Sequence, residues 1–369
     1  MRPADLPRRL LLGPGPSNVH PRVREALARP LVGHMDPTFF ELLDGVQDSL
    51  RALFGTGHPL TLPISATGSA GMEACFVNLV EPGDEVLIGV AGVFGDRMAQ
   101  VAARCGARVT RIEAELGTAL DPDAMADAIG RIRPRVVALV HAETSTGVLQ
   151  PIDRIAAASR EAGALVILDC VTSLGGVTVA IDEWGVDAAY SATQKCLSCP
   201  PGLSPVSFSQ RAVERAATRV TPVQSWYLDV NLLANYVGES RVYHHTAPVS
   251  AIFGLAEGLR LVEEEGMATR TERHRHAANL LIEGMGDLGF EPLVDAAVRL
   301  PSLTTLTLPE KVERGEADLR RRLLEFYNIE VGGGLGPLAG RIWRIGLMGE
   351  NARVTNVEAL LSALRRELG

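Results

Sequence analysis

Residues 164–202 read ALVILDCVTSLGGVTVAIDEWGVDAAYSATQKCLSCPPG, and two short runs inside this stretch decide the fold. ALVILD (164–169) and DAAYSAT (187–193) are short and largely apolar, the pattern of parallel strands buried on both faces. Further towards the N-terminus, EVLIGV (85–90), ARVTRIE (107–113) and RVVALVH (135–141) read the same way. Helical stretches separate them. One covers 94–105. Another opens at Asp121-Pro122-Asp123, where Asp caps and Pro suits the first helical position. A third covers 151–162 and stops at Gly163. This alternation predicts an α/β domain with a mostly parallel sheet covered on both faces, whose ligands sit at the carboxyl ends of the strands.

Beyond about residue 265 the texture changes. A long charged helical stretch (roughly 255–288) precedes the strand PSLTTLTL (301–308), a helix (316–327), the strand RIWRIGL (341–347) and a last helix from about 353. This predicts a smaller α+β domain packed against the first, with no repeat or low-complexity linker between them.

Composition narrows the function. The chain has 369 residues, 46% of them hydrophobic and 22% charged, enough to bury a sizeable core. A net charge of −8 without a long basic run argues against nucleic acid or an anionic membrane as the main partner. No apolar run approaches the roughly 18 residues of a membrane span. The stretch MRPADLPRRLLLGPGPSN has too short an apolar patch to read as a signal peptide. Five scattered cysteines fit a reduced, cytoplasmic protein. Of 36 basic residues only Lys195 and Lys311 are lysine. Chemistry that needs a primary side-chain amine therefore has two candidates, because the arginine guanidinium stays protonated and is a poor nucleophile.

Lys195 follows a strand and precedes a Pro-Pro-Gly turn, whereas Lys311 sits in the charged loop LPEKVERGE. Lys195 reads either as a loop lysine or as a Schiff-base amine, since a desolvated amine loses its proton and becomes nucleophilic. Asp169 ends ALVILD, as a structural acceptor or as an anion opposite a pyridine nitrogen. Thr67-Gly68-Ser69-Ala70-Gly71 opens a helix, as a tight turn or as an amide cradle for phosphate. Arg344 is either an inter-domain salt-bridge partner or a fork for a substrate carboxylate. Cys196 and Cys199 form a lone CxxC without the context of a zinc or redox site. His244 and His245, adjacent on an extended segment, should point opposite ways and serve a polar, non-metal role.

Strand-end Asp169, Lys195 downstream and the glycine-rich turn upstream resemble the fold-type I pyridoxal-phosphate (PLP) enzymes. The strings LLGPGPSNVHPRV (11–23), ETSTGVLQPID (143–153), LDCVTSLGG (168–176), YSATQKCLSCPPG (190–202), YHHTAPV (243–249) and WRIGLMG (343–349) resemble the class V aminotransferases, and more narrowly their alanine–glyoxylate and serine–glyoxylate group. The resemblance implies a large PLP-binding domain with a mostly parallel seven-stranded sheet (18–265) and a small C-terminal α+β domain (266–369). Residues 1–17 are then a segment near the active site and dimer interface. It implies Lys195 as the Schiff base and proton shuttle and Asp169 opposite the pyridine nitrogen. Phe94 stacks on the ring, and Thr144 lies near the phenolic oxygen. Ser69, Ala70, Gly71 and Gln194 form the phosphate cup. Tyr243 and Thr246 reach the phosphate from the neighbouring subunit of a homodimer, and Arg344 takes the substrate carboxylate.

The implied reaction moves an amino group from alanine or serine to a small 2-oxo acid, glyoxylate first. Alternatives are a phosphonate or pyridoxamine aminotransferase, or a cysteine desulfurase or lyase. Against a desulfurase, Phe94 occupies the ring position where histidine is expected, and no cysteine lies in a Gly/Ser-rich loop. The absence of GxGxxG after the first strand argues against a nicotinamide dehydrogenase. The sequence departs from some relatives at Phe94 (Trp or Tyr elsewhere), at Gly71 (His elsewhere) and in its short N-terminal arm.

Overall fold

The structure, a computed structural model, describes Arg2 and residues 5–369. The strands of its two main sheets are β1 (Leu10–Leu12), β2 (Leu60–Ile64), β3 (Glu85–Val90), β4 (Arg108–Glu113), β5 (Val136–Val140), β6 (Leu165–Asp169), β7 (Ala188–Tyr190), β8 (Ser204–Phe208), β9 (Glu291–Pro292), β10 (Leu303–Thr307), β11 (Ile329–Gly333) and β12 (Ile342–Gly346); Ala142–Glu143 and Val148–Leu149 pair as a small separate ribbon. Strands β2 to β8 form one seven-stranded sheet in the order β2-β8-β7-β6-β5-β3-β4. Neighbours pair in parallel except at β8, which runs antiparallel to both β2 and β7. Every residue of β5 and β6 is buried, as unbroken Val/Ile/Leu runs require beneath helices on both faces.

Strands β2 and β8 were not evident from residue pattern because each contains a proline, which normally argues against a strand inside a sheet. Here Pro63 and Pro205 occupy opposed register positions, so their missing donors fall at one rung. The single charged helix expected over 255–288 is instead two, Val249–Glu265 and Met267–Gly286. Gly266 separates them at φ +76°, a conformation that costs glycine little and ends the first helix.

The second sheet has the order β1-β11-β12-β10-β9. Its first strand comes from the other end of the chain: Leu10–Leu12 lies parallel to Ile329–Val331. The LLL patch is thus part of the C-terminal core, with Leu12 fully buried beside Trp343 and Ile345. The chain then leaves this sheet through Gly13–Ser17 and crosses towards the carboxyl end of the large sheet. No helix among the described residues is long and apolar enough to cross a membrane.

Candidate active site

The parallel register of β6 and β7 sets Asp169 opposite Tyr190. Asp169 is 2% exposed. Its carboxylate accepts hydrogen bonds from the Tyr190 hydroxyl (2.7 Å) and the Val171 amide (2.8 Å). Burial raises its pKa from an ordinary 3.8 to about 7, against the pull of those two donors. A cation placed beside it would restore the charged form.

Lys195 lies five residues past β7 and is 8% exposed. Burial lowers its pKa to about 8, so a minor but appreciable fraction of the amine is neutral near physiological pH. Its Nζ donates to the Pro14 carbonyl. Ser17 fastens the backbone beneath it: its hydroxyl donates to the Lys195 carbonyl (2.7 Å) and its amide to the Gln194 carbonyl (2.8 Å). Gly15, at φ +111°, has no room for a side chain, because a Cβ there would sit 2.6 Å from Lys195 Nζ.

Asp169 and Lys195 share a cavity of about 180 Å³ whose walls include Ser69, Phe94, Tyr190 and Gln194. A larger surface groove, about 680 Å³ between the helices Pro21–Leu27, Pro37–Phe54 and Val249–Glu265, is lined by no lysine or histidine, so the chemistry lies in the smaller cavity. At one end of that cavity the helix Gly68–Leu79 begins without a side-chain cap from Thr67. Backbone N–H groups at such an end, together with the helix dipole, hold anions. Ser69 lines the cavity with Thr67 and Gly68. Ala70 and Gly71 lie further along the turn: the Ala70 amide bonds back to the Thr67 carbonyl, and Gly71 packs against Ser204 and Tyr190 with no space for a Cβ.

Phe94 stands in the first turn of the helix Val93–Arg104, with the Arg97 guanidinium 4.9 Å from its ring centroid. Thr144 is buried, and its hydroxyl lies 2.5 Å from that of Thr172. Arg344 is 6% exposed. Its Nε donates to the Gly333 carbonyl (2.8 Å) and one Nη to the Thr144 carbonyl (3.2 Å), and it has no salt-bridge partner among the described residues. Carbonyl dipoles therefore hold the guanidinium in place, and the Glu143 carboxylate acts on it through space rather than as a direct salt-bridge partner.

Tyr243 and Thr246 do not line this cavity; both are exposed, Tyr243 at 60%. The histidines do not point apart. Their segment is irregular rather than a strand, and the two Nδ1 atoms approach to 2.8 Å with His244 stacked on Trp226 at 4.4 Å. Among the described residues no cluster of three or more His, Cys, Asp or Glu could hold a metal. Cys196 and Cys199 are buried free thiols, bonded separately to the Thr172 and Gly254 carbonyls.

Residue reading passed over Tyr190, Pro14, Gly15 and Glu143. Only Tyr190 carried a signal, its place on the strand next to that of Asp169.

These residues suit a phosphorylated pyridine aldehyde. An amine that burial makes easier to deprotonate would meet the aldehyde, a buried acid the ring nitrogen, and uncapped amides the phosphate. Gln194 Oε1, buried without a partner, is an unmet group on the wall.

Known proteins bear on this arrangement. The family model described as aminotransferase class-V matches residues 24–338. An (S)-ureidoglycine–glyoxylate transaminase of Bacillus subtilis is 39% identical over 98% of this chain and 91% of its own. An alanine–glyoxylate aminotransferase of Callithrix jacchus is 40% identical over 100% of this chain and 89% of its own. The crystal structure of an alanine–glyoxylate aminotransferase from Nostoc sp. superposes with a TM-score of 0.97 at 49% identity, covering 100% of this chain and 97% of that one.

Proposed function

Because the chain belongs to the class V aminotransferases, which are PLP-dependent, we propose that it is a transaminase whose amino acceptor is glyoxylate and whose donor is a small amino acid, alanine or serine. The single observation that carries this reading is the meeting of a neutralisable Lys195 and a buried Asp169 in one cavity of a chain so close to these relatives. The names of the relatives share glyoxylate and differ in the donor. That difference supports a second donor, (S)-ureidoglycine, for the same site.

When bound, PLP supplies an electron sink for the charge left on a substrate Cα that loses its proton. Lys195 Nζ would hold the aldehyde and Asp169 would face the ring nitrogen, where its charge would keep that nitrogen protonated. Phe94 would stack on the ring, and the Gly68 and Ser69 end of the helix would take the phosphate. Arg344 orients the substrate by its carboxylate. With PLP bound, Lys195 Nζ would be the base that takes and moves the substrate's Cα proton. Burial matters here because a lysine at its ordinary pKa would be almost wholly protonated and unable to accept it.

We infer also that the protein is a cytoplasmic homodimer in which Tyr243 and Thr246 reach the neighbouring subunit's site. Their exposure beside exposed Val242 and Trp226 supports this; light scattering in solution tests it, and a monomer with full activity would refute it.

Alanine, serine and (S)-ureidoglycine, each offered with glyoxylate or pyruvate, test the substrate reading. The expected result is turnover with glyoxylate and at least one of these donors. Turnover confined to pyruvate, or confined to other donors, would refute it.

A further inference from the structure

Glu143 sits one residue before Thr144 and is 1% exposed. A carboxylate so buried is costly unless donors surround it. One oxygen accepts from the amide (3.0 Å) and hydroxyl (2.5 Å) of Ser145. The other accepts from the amides of Phe94 (3.2 Å) and Gly95 (3.4 Å). The Ser145 hydroxyl in turn accepts from the Val93 amide (2.9 Å).

The first three amides of the helix Val93–Arg104 are therefore capped from a different part of the chain. The helix has no cap of its own, since Gly92 at its N-cap offers no side chain. Nor is there room for one: a Cβ on Gly92 would lie 2.6 Å from the Glu143 side chain. A negative charge here also meets the positive end of the helix dipole. The residue whose amide is capped, Phe94, is the one whose ring faces the cavity.

We propose that Glu143 is a positioning residue that acts through Phe94: by capping this helix it fixes the plane against which the PLP ring stacks, and so sets PLP affinity without touching PLP. The proposal rests on the PLP-dependent reading above. The same tripeptide also supplies the Thr144 carbonyl that holds Arg344, so the stacking ring and the substrate cation share one anchor.

Glu143→Gln keeps the size of the side chain but replaces an accepting oxygen with an NH₂ group that faces N–H donors. The test is a double-mutant cycle read as the dissociation constant of PLP for the apoprotein, followed by absorbance. Glu143→Gln should weaken PLP binding by about tenfold in the wild-type background, the size of a lost cap. In a Phe94→Leu background, where there is no ring left to orient, the same change should alter it by less than about twofold. Equal losses in both backgrounds would overturn the proposal and make Glu143 a general structural residue. Should Glu143→Gln fail to fold, Ser145→Ala enters the same cycle, with the same inequality expected and equality again decisive against. A wild-type protein that binds no PLP would overturn the functional reading itself, an outcome separate from equality in the cycle.

Discussion

Tyr190 and Asp169 face each other across two parallel strands, and the tyrosine hydroxyl donates a 2.7 Å hydrogen bond to the carboxylate. That bond is one of two holding a fully buried acid towards its charged form, against a burial cost that raises its pKa to about 7. Tyr190→Phe leaves only the Val171 amide. A hydrogen bond to a charged group contributes about 1.5–3 kcal/mol. The variant should fold, bind PLP and lose roughly tenfold or more in kcat, and kinetics at saturating donor check this. Unchanged kcat would mean that Asp169 needs no help to stay ionised.

Asp169 also couples function to stability. Its folded-state pKa is raised above the unfolded value, so the folded apoprotein holds a proton more tightly than the unfolded chain. This contribution is present below about pH 4 and is lost as pH rises towards 7. Asp169→Asn removes the buried charge. The apoprotein variant should therefore melt higher than wild type at pH 8, with little difference at pH 4, and should be inactive. Calorimetry at the two pH values checks the sign; a variant less stable at pH 8 would contradict it.

Gly15 lies against the reactive amine, and both its φ of +111° and the 2.6 Å approach forbid a side chain. Gly15→Ala should lower kcat/KM by more than about tenfold while β1 stays paired, because Lys195 must move. Circular dichroism alongside kinetics separates displacement of the amine from loss of fold.

Arg344 is held by two carbonyls and forms no direct salt bridge among the described residues. Arg344→Lys retains charge but loses the planar fork. KM for the amino donor should rise about tenfold or more, with a smaller change in kcat. A KM equal to that of wild type would remove Arg344 from carboxylate binding.

Much of this site was legible because its chemistry is local in sequence. Asp169 ends an unbroken apolar strand, and Lys195 is one of two lysines, the other being exposed on a charged helix. What stayed hidden depends on register and distance. Pro63 and Pro205 mask β2 and β8 until they are seen on the same rung. Leu10–Leu12 pairs with Ile329–Val331 across almost the whole chain, which no local pattern announces. Glu143 reads as an ordinary polar residue until folding brings Phe94 to it. Gly71 matches a phosphate-cup position in sequence, and only the fold shows that a Cβ there would run into Ser204.

One buried amine, Lys195, is the group placed to carry the cofactor. Mixing the protein with PLP, reducing with borohydride and mapping the modified peptide tests it directly. Stoichiometric modification at Lys195 is expected, with adduct formation in the apoprotein rising with pH through about 8 rather than through the ordinary lysine range. Modification of Lys311 or the N-terminal amine in place of Lys195, or none at all, would contradict it.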